Sequence, residues 1–377
     1  MLCIITTSAV FAIKQEITVD EVTKVKNKSG QKFRIGYVET DPYYNFAGTL
    51  HGIILGLQSV GLIEDVSDIP FIIGQSDTTI IWEWLAAKKD TTGIEFVRDA
   101  HYSFIDPGAE EDLRKRLEEK DDLDLMIVMG TAPGQKLAQY DHEVPMLVFS
   151  SSDAVGSGII DSVEDSGKNH VWAHVDPGRY QRQLEVFHDL FQFKKIGLIY
   201  EDSPNGRIYS AYGTVQVLSQ YRGFDIVDYH VDEPTNDPQD IERYHKEMSK
   251  GIKALSEQVD AVYLTANQIE NERLASMLTP LYEKNIPVFS QIGSNEVEYG
   301  ALLSLYRANY LGIGRFGAET IKSVMNGANP RDLEQNFGDT PSIVLHLEVA
   351  NKIGYKPPFE VLLATDKVYR NIKGVIQ

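Results

Sequence analysis

Short apolar runs alternate with amphipathic segments along most of this chain, and two of the runs share one pattern. Residues 34–39 (RIGYVE) and 195–200 (KIGLIY) each begin with a basic residue and continue as a buried strand. Each is followed by an acidic turn that contains proline and then by a helical pattern. A second pair of apolar runs, 124–128 and 260–264, ends in small polar loops. Two alternating β/α units of similar plan predict two parallel-sheet lobes.

The periodicity of apolar positions predicts the elements of both halves. Strands are predicted at 33–39, 94–98, 124–129, 145–150, 195–200, 224–230, 260–264, 286–291, 300–306 and 342–347. Helices are predicted at 48–62, 77–90, 109–119, 178–193, 207–222, 238–257, 268–284 and 313–326, with a polar helical segment at the C-terminus. Residues 63–108 are longer than a minimal β/α unit requires. Trp82 and Trp84 lie there, and we expect one to pack on the sheet and the other to stay partly exposed.

The fold class that follows is α/β, with two doubly wound parallel-sheet lobes and a ligand cleft between them. Parallel sheets bind ligands beyond the carboxyl ends of their strands, so two lobes that face each other form such a cleft. We therefore expect a protein that binds a molecule between its lobes and closes on it.

Composition narrows the possible partners. A chain of 377 residues suits two lobes, and 42% hydrophobic with 24% charged residues is typical of a globular protein. The formal net charge of −19 disfavours nucleic acids and anionic membrane surfaces as partners. We expect a monomer that binds a small-molecule ligand.

The N-terminus suggests export. Residues 2–11 form an apolar stretch, and residues 10–12 (VFA) resemble the cleavage site of a secretory signal. No basic residue precedes Lys14, so the signal peptide looks incomplete. Cys3 follows Leu2 rather than a small residue, which disfavours lipidation. We expect a periplasmic or otherwise extracytoplasmic protein.

No sequence motif indicates a catalytic site, a cofactor site or a metal site. Residues 312–317 match G-x-G-x-x-G, but no second strand with an acidic end follows about 20 residues later, so close helix packing explains the glycines better. The nine histidines lack metal-ligand spacing. Phosphate-binding loops and nucleophile elbows are absent from the sequence. We expect no catalytic residue, no metal, no cofactor and no enzymatic activity.

Polar and aromatic residues recur just after the predicted strands, where a cleft would form. The candidate ligand-binding residues are Thr40, Asp41, Tyr43, Tyr44, Thr131, Ala132, Ser151, Ser152, Asp153, Tyr200, Asn267, Ser294 and Tyr306. The alternative for any one of them is a helix cap or a turn former. Together they predict the lining of a cleft.

These residue types suit a small zwitterion. Hydroxyl groups and helix-start N–H groups at Thr131 and at 150–152 suit a carboxylate. Asp153 or Asp41 suits an ammonium group, and Tyr43 and Tyr44, with Tyr306, suit an apolar or ring portion.

From about residue 33 to 370 the chain resembles the substrate-binding proteins of ABC transporters, specifically the tryptophan- and tyrosine-type family with the type I periplasmic-binding fold. The resemblance rests on segments taken in order: 145–158, 194–200, 259–264, 285–289, 300–302 and 325–330. There are departures, since Ala266-Asn267-Gln268 replaces the usual Thr-Asp-Asn and Ala308 replaces an acidic residue. The first of these removes an expected carboxylate, so ligand identity does not transfer.

The resemblance implies a division of the chain and a function. Residues 1–32 would be a leader and tether, 33–152 plus 307–336 lobe I, and 153–306 plus 337–377 lobe II, with crossovers near 151–175, 305–310 and 335–342. The implied function is an exported receptor that delivers a small molecule, an amino acid or a relative, to an ABC permease. A stand-alone sensory binding module and an enzyme on a doubly wound fold are the alternatives, and a nucleoside or sugar is the alternative ligand.

Overall fold

The structure is a computed structural model, and it describes residues 32–235, 237–306, 310–338 and 342–374. The predicted leader, except for Lys32, lies outside the described residues, as do 307–309 and 339–341 within two of the predicted crossovers. The described chain forms two α/β lobes, each built on one sheet. The fold class expected from the sequence is confirmed.

The sheet of the first lobe has five strands, all parallel, in the order β2-β1-β3-β4-β5. The strands are β1 (Phe33–Glu39), β2 (Ile94–Ser103), β3 (Leu125–Met129), β4 (Met146–Phe149) and β5 (Val171–Ala173). Every residue of the inner strands β3 and β4 is buried, as expected for strands covered by helices on both faces, and the three residues of the edge strand β5 are buried as well. The helices of this lobe are α1 (Tyr44–Ser59), α2 (Thr79–Ala87), α3 (Ala109–Glu119) and α4 (Thr131–Leu137).

The sheet of the second lobe has seven strands in the order β12-β11-β10-β9-β8-β6-β7. The strands are β6 (Lys195–Tyr200), β7 (Asp225–His230), β8 (Ala261–Leu264), β9 (Val288–Ser290), β10 (Leu303–Tyr306), β11 (Ser342–His346) and β12 (Thr365–Tyr369). All neighbours pair in parallel except β10 and β11. The helices are α5 (Arg179–Phe191), α6 (Pro204–Tyr209), α7 (Tyr212–Arg222), α8 (Pro238–Ser256), α9 (Asn271–Glu283), α10 (Ser294–Glu298), α12 (Leu347–Lys352) and α13 (Phe359–Leu363).

One late helix, α11 (Tyr310–Met325), packs on α1 of the first lobe through glycine. A Cβ atom at Gly52 would lie 2.1 Å from the Tyr310 carbonyl oxygen, and one at Gly314 would lie 2.0 Å from the Gly52 carbonyl carbon. The two helix backbones therefore touch, and only glycine fits at these positions. The G-x-G-x-x-G pattern at 312–317 serves this close packing.

The structure corrects several details of the sequence-based expectation. The boundary at residue 152 is too early, because Val171–Ala173 pairs with β4 in the first sheet. The helix expected at 207–222 is two helices, since Ala211 adopts a left-handed conformation (φ 54°) between α6 and α7. The polar C-terminal segment contributes a strand, β12, besides two short helices. In the long 63–108 segment Trp82 is buried and Trp84 is partly exposed, as expected.

Two of the chain segments that connect the lobes pair with each other beyond β5. Val175 forms a parallel bridge with Asn336, the Val175 N–H donates to the Gln335 carbonyl (2.9 Å), and the Phe337 N–H donates to the Val175 carbonyl (3.0 Å). This pairing holds the connections in register at the base of the cleft.

Candidate ligand cleft

The cleft lies where the carboxyl ends of the two sheets face each other, as the fold dictates. A direct hydrogen bond joins the lobes at its base, since the Tyr180 hydroxyl of α5 donates to the Ser152 carbonyl at 3.1 Å. The loops after β1, β3 and β4 form one wall, and those after β6, β8 and β9 form the other.

The first wall brings three predicted hydroxyl residues together. The Ser152 N–H donates to Thr131 Oγ1 at 3.0 Å, and Thr40 Oγ1 lies next to Gly130, whose added Cβ would be 3.1 Å away. Ala132 follows in the first turn of α4. Ser150 adopts φ 55°, and its hydroxyl pairs with that of Thr49 at 3.0 Å, which fixes the turn before Ser151. The Ser151 hydroxyl is buried and has no hydrogen-bond partner within the described residues.

Two tyrosines of the first lobe form the aromatic part of this wall. The rings of Tyr43 and Tyr44 lie 4.7 Å apart at 60°. Asn45 holds Tyr43 in place, because its side-chain amide donates to the Tyr43 hydroxyl (3.2 Å) while its side-chain oxygen accepts from the Tyr310 hydroxyl (2.6 Å). Burial raises the pKa of Tyr43 to about 12, with Glu296 of the second lobe acting in the same direction and Arg179 against it. These two charged residues of the second lobe therefore lie close enough to Tyr43 to act on its hydroxyl electrostatically.

The two acidic residues predicted for an ammonium group differ in environment. Asp153 is exposed, and its Oδ1 accepts the N–H groups of Val155 (3.1 Å) and Gly156 (2.8 Å), so this carboxylate stabilises its own turn. Asp41 is exposed as well, although the protein around it raises the pKa of its carboxyl group by desolvation. The geometry favours the turn-forming alternative for Asp153.

The predicted residues of the second wall make contacts within their own lobe. The Tyr200 hydroxyl donates to Asp228 of β7 at 2.9 Å. The Ser294 hydroxyl pairs with that of Tyr369 at 2.9 Å. The Asn267 side chain accepts from the Ile269 N–H at 3.0 Å and donates to Glu296 Oε1 at 2.6 Å. Tyr306 ends β10, but its side chain lies outside the described part of the structure.

Glu296 is a residue of this wall that sequence reasoning missed. Its side chain is buried, and besides the Asn267 amide it accepts a hydrogen bond from the Ser290 hydroxyl at 2.6 Å. Burial raises the pKa of this carboxyl group to about 7. Glu296 lies in the first turn of α10, two residues after Ser294, which was predicted from its position after β9, so the sequence carried a signal that could have found Glu296.

Arg179 is the second missed residue. It is half-buried, it is the first residue of α5, and its guanidinium lies 5.0 Å from the centre of the Tyr180 ring. The sequence did carry a signal for this residue, because Arg179 lies at the start of a predicted helix, where the helix dipole disfavours a positive charge.

A further carboxyl group lies at the rim of the second wall. Glu233 accepts a hydrogen bond from the Gln268 amide at 2.9 Å, and the Gln268 N–H donates to the Tyr244 hydroxyl at 3.2 Å. Burial, with Glu201 nearby, raises the pKa of Glu233 to about 7. The second wall thus carries both acidic and basic groups.

The described part of the chain contains neither a cluster of metal ligands nor a membrane-spanning helix. No group of three or more histidine, cysteine or acidic side chains there is arranged to hold a metal ion. None of the helices described is both long and apolar enough to cross a bilayer.

Comparison with known proteins gives one family and one fold. The family described as ABC transporter substrate binding protein matches residues 99–369. No curated protein matches the sequence. Among solved structures, the ABC domain of Streptococcus pneumoniae in complex with L-Trp aligns at TM-score 0.65 and 19% identity, covering 90% of this chain and all of that one.

Two further structures share the fold. The ligand-free, open form of a substrate binding protein with adhesive properties from Clostridium difficile aligns at TM-score 0.63 and 19% identity, with 90% of this chain and 100% of that one covered. A periplasmic ribose ABC transporter from Conexibacter woesei aligns at TM-score 0.52 and 11% identity, over 88% and 97%.

Proposed function

Because the chain belongs to the family of ABC transporter substrate-binding proteins, we propose that it is an extracytoplasmic receptor that delivers a small solute to an ABC permease without chemistry. The observation that carries the proposal is the cleft itself, where the Tyr43–Tyr44 pair of one lobe faces charged residues of the other. Ligand that contacts both walls favours the closed arrangement of the lobes. Members of this family act outside the cytoplasm, in agreement with the export expected from the N-terminal sequence.

The solute we propose is a small zwitterion, an amino acid or a close relative with an aromatic side chain. Tyr43 and Tyr44 offer rings for its apolar part. Glu296 offers a carboxylate for its ammonium group, replacing Asp153 in that role because the Asp153 carboxylate is engaged in its own turn. Thr131, Ser151 and Ser152 remain our candidates for the carboxylate end. The complex of the Streptococcus pneumoniae protein with L-Trp supports this class of solute.

A neutral solute such as a sugar or nucleoside is the second candidate. It is favoured by one observation, that Ala266-Asn267-Gln268 supplies amides after β8 where the family resemblance implies a carboxylate. The ribose transporter with the same fold is consistent with it.

A thermal-shift screen of amino acids, nucleosides and sugars separates the candidates. A ligand present at 100 times its Kd adds about 2.7 kcal/mol to the free energy of unfolding, which is readily measured as a higher melting temperature. We expect an aromatic amino acid to raise it. A shift with sugars or nucleosides alone would exclude the zwitterion, and a solute recovered chemically altered after long incubation would exclude a receptor without chemistry.

A further inference from the structure

Arg179 lies at the N-terminus of a helix, where the helix dipole is positive. It is the first residue of α5, and the N-cap residue, Gly178, provides no side-chain hydrogen bond to the free N–H groups of the first turn. A cation there is disfavoured by about 0.3–1 kcal/mol through the helix dipole alone. The position is therefore electrostatically unfavourable unless an anion is present for part of the time.

The nearest acidic group of the described residues, Asp176, acts on the Arg179 charge only from a distance, because its carboxylate is held by another arginine. Arg182, one turn later on the same helix, contacts both carboxylate oxygens of Asp176 at 2.7 Å. Within the described ranges, by contrast, no hydrogen bond or ion pair joins the Arg179 guanidinium to another group; its one side-chain contact is the Tyr180 ring. A cation enclosed by protein without a partner is costly, and such departures from local rules concentrate at functional sites.

The surroundings of Arg179 include groups from both lobes. The Tyr180 hydroxyl reaches the Ser152 carbonyl, which brings the start of α5 next to the loop after β4 and its unpartnered Ser151 hydroxyl. Burial acts to lower the pKa of Arg179, but Tyr180, Tyr263, Tyr43 and Asp176 together raise it above its usual value, so the guanidinium is charged. A positive charge and a free hydroxyl thus lie on opposite sides of the base of the cleft.

We propose that Arg179 binds a carboxylate of the solute, with the Ser151 hydroxyl as a second donor from the first lobe; this inference rests on the receptor function proposed above. The planar guanidinium matches a carboxylate in a bidentate geometry. One cation and one neutral hydroxyl suit a singly charged carboxylate better than a phosphate, which carries nearly two charges. A carboxylate held from both lobes also couples binding to closure.

The first test needs no solute. If the role of Arg179 is to bind the solute, the arginine does not stabilise the ligand-free protein. Arg179→Gln should then leave the melting temperature of the ligand-free protein unchanged or raise it by about 1–3 °C. A structural arginine would behave in the opposite way. A decrease of more than about 5 °C in Arg179→Gln, repeated in Arg179→Lys, would overturn the assignment.

The second test measures binding by calorimetry to the twenty amino acids, their amides, ribose and adenosine. Each amide matches its amino acid except for the carboxylate charge. The wild type should bind its amino acid about 10- to 100-fold more tightly than the amide. Arg179→Gln should bring this ratio close to one, and Arg179→Lys should give an intermediate ratio because a lysine lacks the planar fork. Arg207→Gln is the control, since Arg207 belongs to the same lobe but pairs with the exposed Asp202.

The outcomes separate the inference from the function on which it rests. An acid-to-amide ratio that stays high in Arg179→Gln overturns the role of Arg179 and leaves the receptor intact. Binding of ribose or adenosine alone overturns the carboxylate and leaves a receptor for neutral solutes. Binding of nothing in the panel overturns both. A ratio lost in Arg179→Gln but kept in Arg207→Gln supports the proposal.

Discussion

Each lobe contains a buried carboxyl group near the end of a strand, and the two differ in what they face. Glu39, at the end of β1, accepts hydrogen bonds from the Tyr37 hydroxyl (2.7 Å) and the Thr78 hydroxyl (2.9 Å). Glu296, after β9, accepts two as well, from Asn267 and Ser290. Burial raises the pKa of both carboxyl groups to about 7.

The surroundings of the two groups give them different roles. Glu39 belongs to a closed network of the first lobe, in which Thr78 also contacts His101 (2.9 Å) and the His101 ring stacks on Tyr37 at 5.1 Å. Glu296 instead influences Tyr43 and Tyr44 across the cleft. A raised pKa therefore marks burial in both lobes, and our proposal that Glu296 binds the solute rests on its position relative to the tyrosines.

The largest expected effect is on solute binding. Glu296→Gln removes the charge that we propose for the ammonium group and should weaken amino-acid binding by about 10- to 100-fold, the contribution of a charged hydrogen bond. Glu39→Gln is the matched control, because it makes the same change at a buried carboxyl group that does not face the other lobe. It should change Kd by less than about threefold. Equal losses in both variants, measured by calorimetry, would remove the distinction.

The second effect is on stability as a function of pH. The folded-state pKa of Glu39 lies above its ordinary value of 4.5, so the folded protein holds the proton more tightly than the unfolded chain. The contribution is present below about pH 4.5 and is lost as the pH rises to about 7. Glu39→Gln should therefore raise the free energy of unfolding by about 1–3 kcal/mol more at pH 8 than at pH 4.5. Urea denaturation at the two values measures this, and a pH-independent difference would argue against a buried acid.

The third effect is on stability, and it compares the buried hydroxyl of Thr78 with the exposed hydroxyl of its neighbour, Thr79. Thr78→Val removes the hydroxyl that links Glu39 to His101 and should lower the free energy of unfolding by about 1–3 kcal/mol, because two buried groups lose a partner. Thr79, the next residue, is exposed, so Thr79→Val should change stability by less than about 0.5 kcal/mol. Neither substitution should alter Kd substantially. Loss of binding in Thr78→Val without loss of stability would extend the site into this network.

The smallest effect concerns the aromatic wall. Tyr43→Leu should weaken binding of an aromatic amino acid by about 0.5–1.5 kcal/mol, the contribution of an aromatic pair beyond burial. Binding of an aliphatic amino acid should change less. Tyr43→Phe keeps the ring and loses only the hydroxyl that Asn45 contacts, so it should retain the preference for aromatic solutes. If Tyr43→Leu affects both kinds of solute equally, the ring does not stack on the solute.

Much of the fold was predictable because alternation of apolar and polar positions is a local property of the sequence. The strands of both sheets from β1 to β11 were predicted except β5, whose three residues, Val171 to Ala173, are too few for a period to show. The break at Ala211 escaped because an alanine with positive φ has no sequence signal. The strand β12 was missed because three of its five residues are exposed and polar ones predominate.

The cleft was less predictable because a missing partner is a property of the folded chain. Arg179 lies inside a correctly predicted helix. The neighbouring sequence does not show that Arg182 is hydrogen-bonded to the Asp176 carboxylate whereas Arg179 is not. Asp153, which was predicted to hold an ammonium group, precedes Val155 and Gly156 in a turn that its own side chain stabilises. That turn was the alternative considered for such residues, and here the geometry favours it. The remaining candidate residues stay predictions until a bound solute is seen.

The central claim is that the lobes close on a zwitterion held by the charged groups of the second wall. Small-angle scattering tests it most directly, because closure makes the molecule more compact. The radius of gyration of the wild type should decrease when the amino acid identified by thermal shift is added to saturation. Glu296→Gln at the same solute concentration should show a smaller decrease, because we expect it to bind the solute about 10- to 100-fold more weakly. A wild-type radius that does not change at saturation would contradict the account.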